Sequence, residues 1–214
     1  MQITMNVKKL KWLLSFTDED LTNNRGLQNI ILTKIIDKYY IIATNGHSAI
    51  FWRVEPTDPL LNLDRNLCVY FDKKDLIYLK SLQDYMMCSI DFMQQKWKCG
   101  EIELPCKPLR ECNIDFQNWL QWNFMSEQDM EDKDKYQHII NLKDLSKFCI
   151  DKDKKIIIYP INKRTLLIKI PNELDMFGFV SKISENYIKI SQEFENLAES
   201  FDINLKNEIK EKLG

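Results

Sequence analysis

Apolar and polar positions along this chain change period in a recurring order. Residues 2–6 alternate like a short strand, and residues 7–16 then place Leu10, Leu13 and Leu14 at helical spacing. Residues 67–71 again read as a strand and lead into a helix over residues 72–82, with Asp72 as its N-cap. A third copy runs from Tyr136-Gln137-His138-Ile139-Ile140 into a helix over residues 141–148. Each predicted helix keeps its lysines off the apolar stripe. The helices begin about 65 residues apart, and this regular spacing argues for internal duplication.

Strand patterns follow each helix. Residues 27–34, 38–44 and 48–55 follow the first, residues 87–93 and 96–104 the second, and residues 155–160 and 165–170 the third. Residues 126–135 are charged and lack apolar periodicity, so they predict a linker between a domain at 1–125 and a shorter one at 136–214. Within the second, Tyr187, Ile190, Phe194, Leu197 and Phe201 predict an amphipathic C-terminal helix. The class expected is α+β.

Composition narrows the picture. The 44% hydrophobic content, with eleven Phe, eight Tyr and five Trp, is that of a chain with a packed core. Thirty basic and thirty-two acidic side chains give a net charge of −2, which excludes a uniformly basic coat and leaves room for a local basic face. No apolar run reaches the roughly 18 residues that span a bilayer. The N-terminus carries no secretion signal, so a cytoplasmic location is expected. Six cysteines in apolar contexts then read as buried thiols rather than disulfides.

The most specific segment is Tyr39-Tyr40-Ile41-Ile42-Ala43-Thr44-Asn45-Gly46-His47-Ser48-Ala49-Ile50-Phe51-Trp52. Two β-rich runs flank a polar turn, which predicts a hairpin that presents His47. It resembles the Ala-Thr-Asp-Gly-His-Arg-Leu-Ala hairpin of the bacterial DNA sliding clamp family, the polymerase III beta subunits, with Asn45 for Asp, Ser48 for Arg and Ala49 for Leu. Arg25-Gly26-Leu27-Gln28-Asn29-Ile30-Ile31-Leu32, Tyr70-Phe71-Asp72-Lys73-Lys74-Asp75-Leu76 and Asp115-Phe116-Gln117-Asn118-Trp119-Leu120-Gln121 are similar to three further family segments, in the same order. Ile114 and Gln121 stand where the family has prolines. The second domain holds one strand-helix-strand unit, so the chain resembles a shortened, two-domain member.

The resemblance implies a clamp-like fold of repeated units, with antiparallel sheets outside and helices inside. It implies a groove for short peptides of replication proteins, with Thr44, Gly46, His47 and Ser48 at its rim and Ala49 and Gln28 near its floor. It also implies sequence-independent contacts to double-stranded DNA from helix lysines, here Lys8, Lys9, Lys11, Lys73, Lys74, Lys80, Lys143 and Lys147. Catalysis is not expected. Neither His47 nor His138 belongs to a nucleophile motif, and no phosphate-binding glycine loop occurs. Cysteine and carboxylate spacings fit neither zinc nor calcium sites, so no cofactor, metal or small-molecule substrate is expected.

Two functional readings follow. The first is a sliding-clamp-like processivity scaffold that binds DNA and replication or repair proteins and self-associates into a homo-oligomer. The second is a clamp-like adaptor or inhibitor from a mobile element, which binds a host replication or repair protein without encircling DNA. An interaction protein unrelated to replication is the plainest third reading.

Overall fold

Asn6 ends one element and begins the next. In the computed structural model, β1 (Gln2–Asn6) passes directly into α1 (Val7–Leu14), and the Asn6 side chain accepts a hydrogen bond from Lys9 N at 2.8 Å. That bond satisfies a backbone donor the first helical turn would otherwise leave open. Asp72 does the same for α2 (Lys73–Ser81), where Asp75 reaches back to the Asp72 N–H and completes a capping box. Asn141 caps α4 (Leu142–Ser146) through Lys143 N. The structure describes residues 1–18, 25–55, 63–125, 140–149, 155–162, 165–171, 173 and 175–181.

Strands follow each capped helix. After α1 come β2 (Ile30–Ile35), β3 (Lys38–Thr44), β4 (Ser48–Val54) and then β5 (Leu67–Val69). After α2 come β6 (Met87–Asp91), β7 (Lys96–Cys99), β8 (Ile102–Pro105) and then α3 (Phe116–Met125). After α4 come β9 (Ile157–Asn162), β10 (Thr165–Lys169) and β11 (Met176–Ser181).

The sheets are antiparallel, and the first two units exchange strands. β1 adds to the sheet of the second unit in the order β1-β6-β7-β8, while β5 adds to that of the first. The latter sheet continues into the third unit through pairing of β4 with β11, giving seven strands in the order β5-β2-β3-β4-β11-β10-β9. All described residues fall within the compact unit Met1–Lys182. The α+β class and the repeated strand-helix-strands plan expected from sequence are those observed.

Both faces of the long sheet are covered, and strand alternation divides its residues between them. Ile30, Leu32, Ile41, Ala43, Ile50 and Val180 join the main core with α1, Leu79 of α2, Phe148 and the inner residues of the four-stranded sheet. Ile31, Ile42, Ala49, Phe51 and Phe179 face the other way, against Phe116 and Trp119 of α3. A Cβ on Gly178 would lie 2.0 Å from the Phe148 ring and 2.8 Å from the Ala49 carbonyl oxygen, so the bare backbone of β11 is what admits Phe148.

The single strand expected over residues 96–104 is instead two, β7 and β8, folded back on each other at Gly100, whose φ of 62° makes the turn. Two further elements have no counterpart in the strand and helix pattern described above. Residues 116–125 form α3, and 176–181 form β11. The expected linker at 126–135, the strand at 136–139 and the amphipathic tail helix lie outside the described residues.

Candidate functional site

Five residues at the β3–β4 turn, Thr44 to Ser48, hold one another. Gly46 takes a φ of 88°, which an L side chain disfavours. The Asn45 side-chain oxygen accepts from His47 N at 2.9 Å and Ser48 N at 2.8 Å, and the Thr44 hydroxyl accepts from Gly46 N at 3.0 Å while donating to Ser48 O at 2.9 Å. These bonds, all between residues two to four positions apart, fix the turn from within.

The third unit then holds the turn from outside. Ser181 N donates to His47 O at 2.7 Å, and Asn45 Nδ2 donates to Asp144 Oδ1 at 3.2 Å. Ser48 Oγ sits 3.3 Å from the same carboxylate oxygen and 3.4 Å from Lys147 Nζ, which itself pairs with Asp144 at 3.0 Å. Burial pushes the Asp144 carboxyl up, but the bonds from Lys147, Asn45 and Ser48 outweigh it and leave its pKa below the usual carboxylate value. Asp144 therefore stays ionised beneath the turn.

An open cavity of about 280 Å³ lies beside this turn. Thr44, Gly46, His47, Ser48 and Ala49 line it, together with Arg25, Leu27, Phe51, Ile114, Phe116, Trp119, Phe179 and Ser181. The floor is an aromatic cluster: Phe51 stacks on Trp119 with ring centroids 6.0 Å apart, and Phe179 meets Trp119 edge-on at 5.0 Å. The rim is polar, with His47 exposed. Pockets for whole drug-sized ligands begin near 300 Å³, so this one suits one or two apolar side chains of a longer partner.

Five of the six groove residues expected from sequence thus converge on one cavity. Gln28 is buried and is not among the lining residues; its neighbour Leu27 is. Sequence reasoning missed the wall supplied by Ile114, Trp119 and Phe179, although Phe116-Gln117-Asn118-Trp119-Leu120 carries a three-residue aromatic spacing that signals a helix face.

The lysines divide into two sets. Lys11 pairs with Asp84 at 2.8 Å and also donates to Leu82 O, Lys9 lies 4.0 Å over the Trp52 ring and 3.7 Å from Glu173, and Lys147 is largely buried against Asp144. Lys8 is half-buried. Lys73, Lys74, Lys80 and Lys143 are exposed. The helices α1 and α2 touch, and α1 meets the end of α4 through Phe16 and Phe148, whose rings are 4.8 Å apart.

Buried thiols offer little chemistry. Burial pushes Cys68, Cys88 and Cys106 up to about 12, far from nucleophilic thiolates at neutral pH. Among the described residues no three His, Cys, Asp or Glu side chains gather as metal ligands, and no helix is long and apolar enough to cross a membrane.

No family model matches this chain, and no curated protein matches it by sequence. Solved structures match it by shape. The polymerase III beta subunit of Borrelia burgdorferi superimposes with a TM-score of 0.55 at 14% identity, covering 86% of this chain and 64% of that one. The chain has the fold of a bacterial DNA sliding clamp. The Pseudomonas aeruginosa clamp bound to griselimycin gives a TM-score of 0.52 at 14% identity over 86% of this chain and 65% of that one. The Thermotoga maritima beta subunit gives 0.51 at 11% identity over 86% and 64%. This clamp-fold chain spans just under two thirds of the length of these clamps. Against the clamp hairpin pattern, Asn45 for Asp has a local reason, since its amide donates to Asp144 where a second carboxylate would repel it.

Proposed function

We propose that this clamp-fold chain is a non-catalytic scaffold that works in the cytoplasm by binding. Its groove takes one or two aliphatic or aromatic side chains from an extended segment of a replication or repair protein, and its helix lysines contact duplex DNA without reading bases. The observation that carries this reading is the aromatic-floored cavity where the β3–β4 turn, α3 and β11 meet. Fully burying one such anchor contributes about 1.5 to 3 kcal/mol, enough for weak, exchangeable docking. The exposed Lys73, Lys74, Lys80 and Lys143 are the leading phosphate contacts, and Lys9, Lys11 and Lys147 contribute less because they already face carboxylates.

Two measurements test the proposal. Binding to nicked circular DNA should weaken with salt, and each of Lys73→Ala and Lys74→Ala should reduce the log–log salt slope by about one. Absence of salt-dependent binding at low ionic strength sinks the DNA component. Replication proteins captured by the full chain should be lost when Ala49→Phe fills the groove or His47→Ala alters its rim, while DNA binding persists. Capture insensitive to both variants, or capture of a host clamp or clamp loader instead, replaces the scaffold by the adaptor or inhibitor reading.

A further inference from the structure

Cys88 of β6 and Cys99 of β7 stand directly opposite each other, and the hydrogen bonds on their two flanks fix which kind of pair they make. On one side, Val7 N donates to Met86 O at 2.8 Å and Phe92 N to Met1 O at 3.0 Å, so every second pair between β1 and β6 is hydrogen-bonded, Met5 with Cys88 among them. Cys88 therefore turns its N–H and C=O toward β1. On the other side, Cys106 N donates to Gln95 O at 2.8 Å, and the same alternation turns the backbone groups of Cys99 toward Ile102 of β8. Neither cysteine bonds the other's backbone. The Cα atoms of such a pair are about 4.5 Å apart, within the range of about 4.4 to 6.8 Å that a disulfide spans. The two side chains also share the core-side face, and both are 2% exposed.

In the closed fold, burial protects the pair. It pushes Cys88 up to about 12 and raises Cys99 as well, so little thiolate is present at neutral pH. Access comes through β8. That strand has four residues and none is buried; Ile102, which lies opposite Cys99 on the same face, is 47% exposed. Beside Cys99 the turn is open, since a Cβ on Gly100 would meet nothing within 4 Å. A short strand with so little buried side chain opens at low cost. Its departure uncovers Cys99, while Ser89 and Lys98, a hydrogen-bonded pair by the same alternation, keep β6 and β7 in register.

We infer that Cys88 and Cys99 form a dithiol site that low-molecular-weight disulfides oxidise to a cross-strand bond, with Cys99 reacting first. When β8 opens, Cys99 loses its proton to water, and its thiolate attacks one sulfur of the small disulfide, whose S–S bond breaks and releases one thiol. Cys88, deprotonated in turn, attacks Cys99 Sγ. The mixed disulfide breaks, and the second thiol leaves with the electron pair of that bond. The two cysteine protons end on the two released thiols, so the pair is oxidised by two electrons and the small disulfide reduced by two. The product ties β6 to β7 beneath α2, which this sheet already holds through Trp97 Nε1 and Asp75 at 3.0 Å. Oxidation thereby stiffens the sheet that carries α2, and a reducing thiol reverses it. The inference stands on strand register and exposure and does not depend on DNA or peptide binding.

Oxidised glutathione titrated against the full chain carrying Cys149→Ser, which removes the exposed thiol, tests the inference. After an acid quench and alkylation in denaturant, peptide mass mapping should find Cys88 joined to Cys99, with Cys68, Cys106 and Cys112 alkylated. Amide exchange in β6 and β7 should slow on oxidation and recover with dithiothreitol. Adding Cys88→Ser should leave glutathione on Cys99, whereas adding Cys99→Ser should leave Cys88 unmodified. Ile102→Gly, which loosens β8, should speed bond formation several-fold. Near-ultraviolet circular dichroism checks that each chain is folded during oxidation, and mapping of the parent chain decides alone should the further variants not fold. A folded parent chain with no bond between Cys88 and Cys99 at any glutathione ratio overturns the inference. So does a bond that forms only once urea has unfolded the chain, that joins other cysteines instead, or whose rate is indifferent to Ile102→Gly.

Discussion

Asp144 shows how one side chain can serve two elements at once. It is buried at the foot of α4, and its carboxylate receives Lys147 from its own helix and Asn45 from the β3–β4 turn. Because its pKa in the folded chain lies below the ordinary 3.8, the stability it contributes is present above that value and disappears as pH falls through the folded value. Asp144→Asn keeps the shape but removes the charge that Lys147 needs. Urea unfolding should show a loss of about 2 kcal/mol near pH 7 that shrinks toward zero in acid. An equal loss at both ends would mean that the carboxylate acts by shape alone. The same residue explains a limit of sequence reasoning: Lys147 reads as a surface lysine on a helix, and only the fold reveals that it is committed to a buried carboxylate.

At the scale of elements, α1, α2 and α4 were legible because their signals are local, whereas α3 was not. Asn6 and Asp72 stand where a strand ends, and the apolar spacing that follows can be read without knowing what it packs against. The hairpin from β3 to β4 was legible for the same reason. β11 was not, because Met176-Phe177-Gly178-Phe179-Val180-Ser181 has a glycine at its centre, and that glycine makes sense only beside Phe148. The junction of α2 with the four-stranded sheet is similarly non-local. Asp75 closes the capping box and also accepts from Trp97 Nε1 at 3.0 Å, while burial raises its pKa against those bonds. A raised pKa in the folded chain means that the associated stability is full below the ordinary 3.8 and is lost as pH rises through the folded value. Trp97→Phe removes a donor that offsets this loss. The variant should be destabilised by about 1 to 3 kcal/mol near pH 7 and by less near pH 3. Equal destabilisation at the two pH values would assign the effect to packing rather than to the hydrogen bond.

For the whole molecule, the decisive contact is the pairing of β4 with β11, which carries one sheet across the segment where sequence composition marks a linker. Phe51 of β4 stacks on Phe177 with centroids 5.1 Å apart and meets Phe179 at 5.5 Å. Expression of residues 1–125 alone would therefore bare the β4 edge and one side of the aromatic cluster. That fragment should self-associate or precipitate, as exposed apolar strand edges do, where the full chain stays dispersed. A monodisperse, cooperatively folding fragment in light scattering and thermal unfolding would show instead that β11 is dispensable. The groove depends on the same contact. The turn residues at its rim were legible in Thr44-Asn45-Gly46-His47-Ser48, but its wall comes from Phe179 and Trp119, which lie far from the turn in sequence.

The order of amino acids by itself determined where helices start, where the hairpin turns and which strand faces are apolar, since capping, turn geometry and side-chain alternation act over a few residues. Tertiary structure alone decided which strands exchange, which lysines remain exposed and which aromatic side chains close the groove. Those outcomes depend on contacts between residues far apart in the chain, as when Trp12 donates to Lys147 O, 135 positions away, and local pattern carries no record of them.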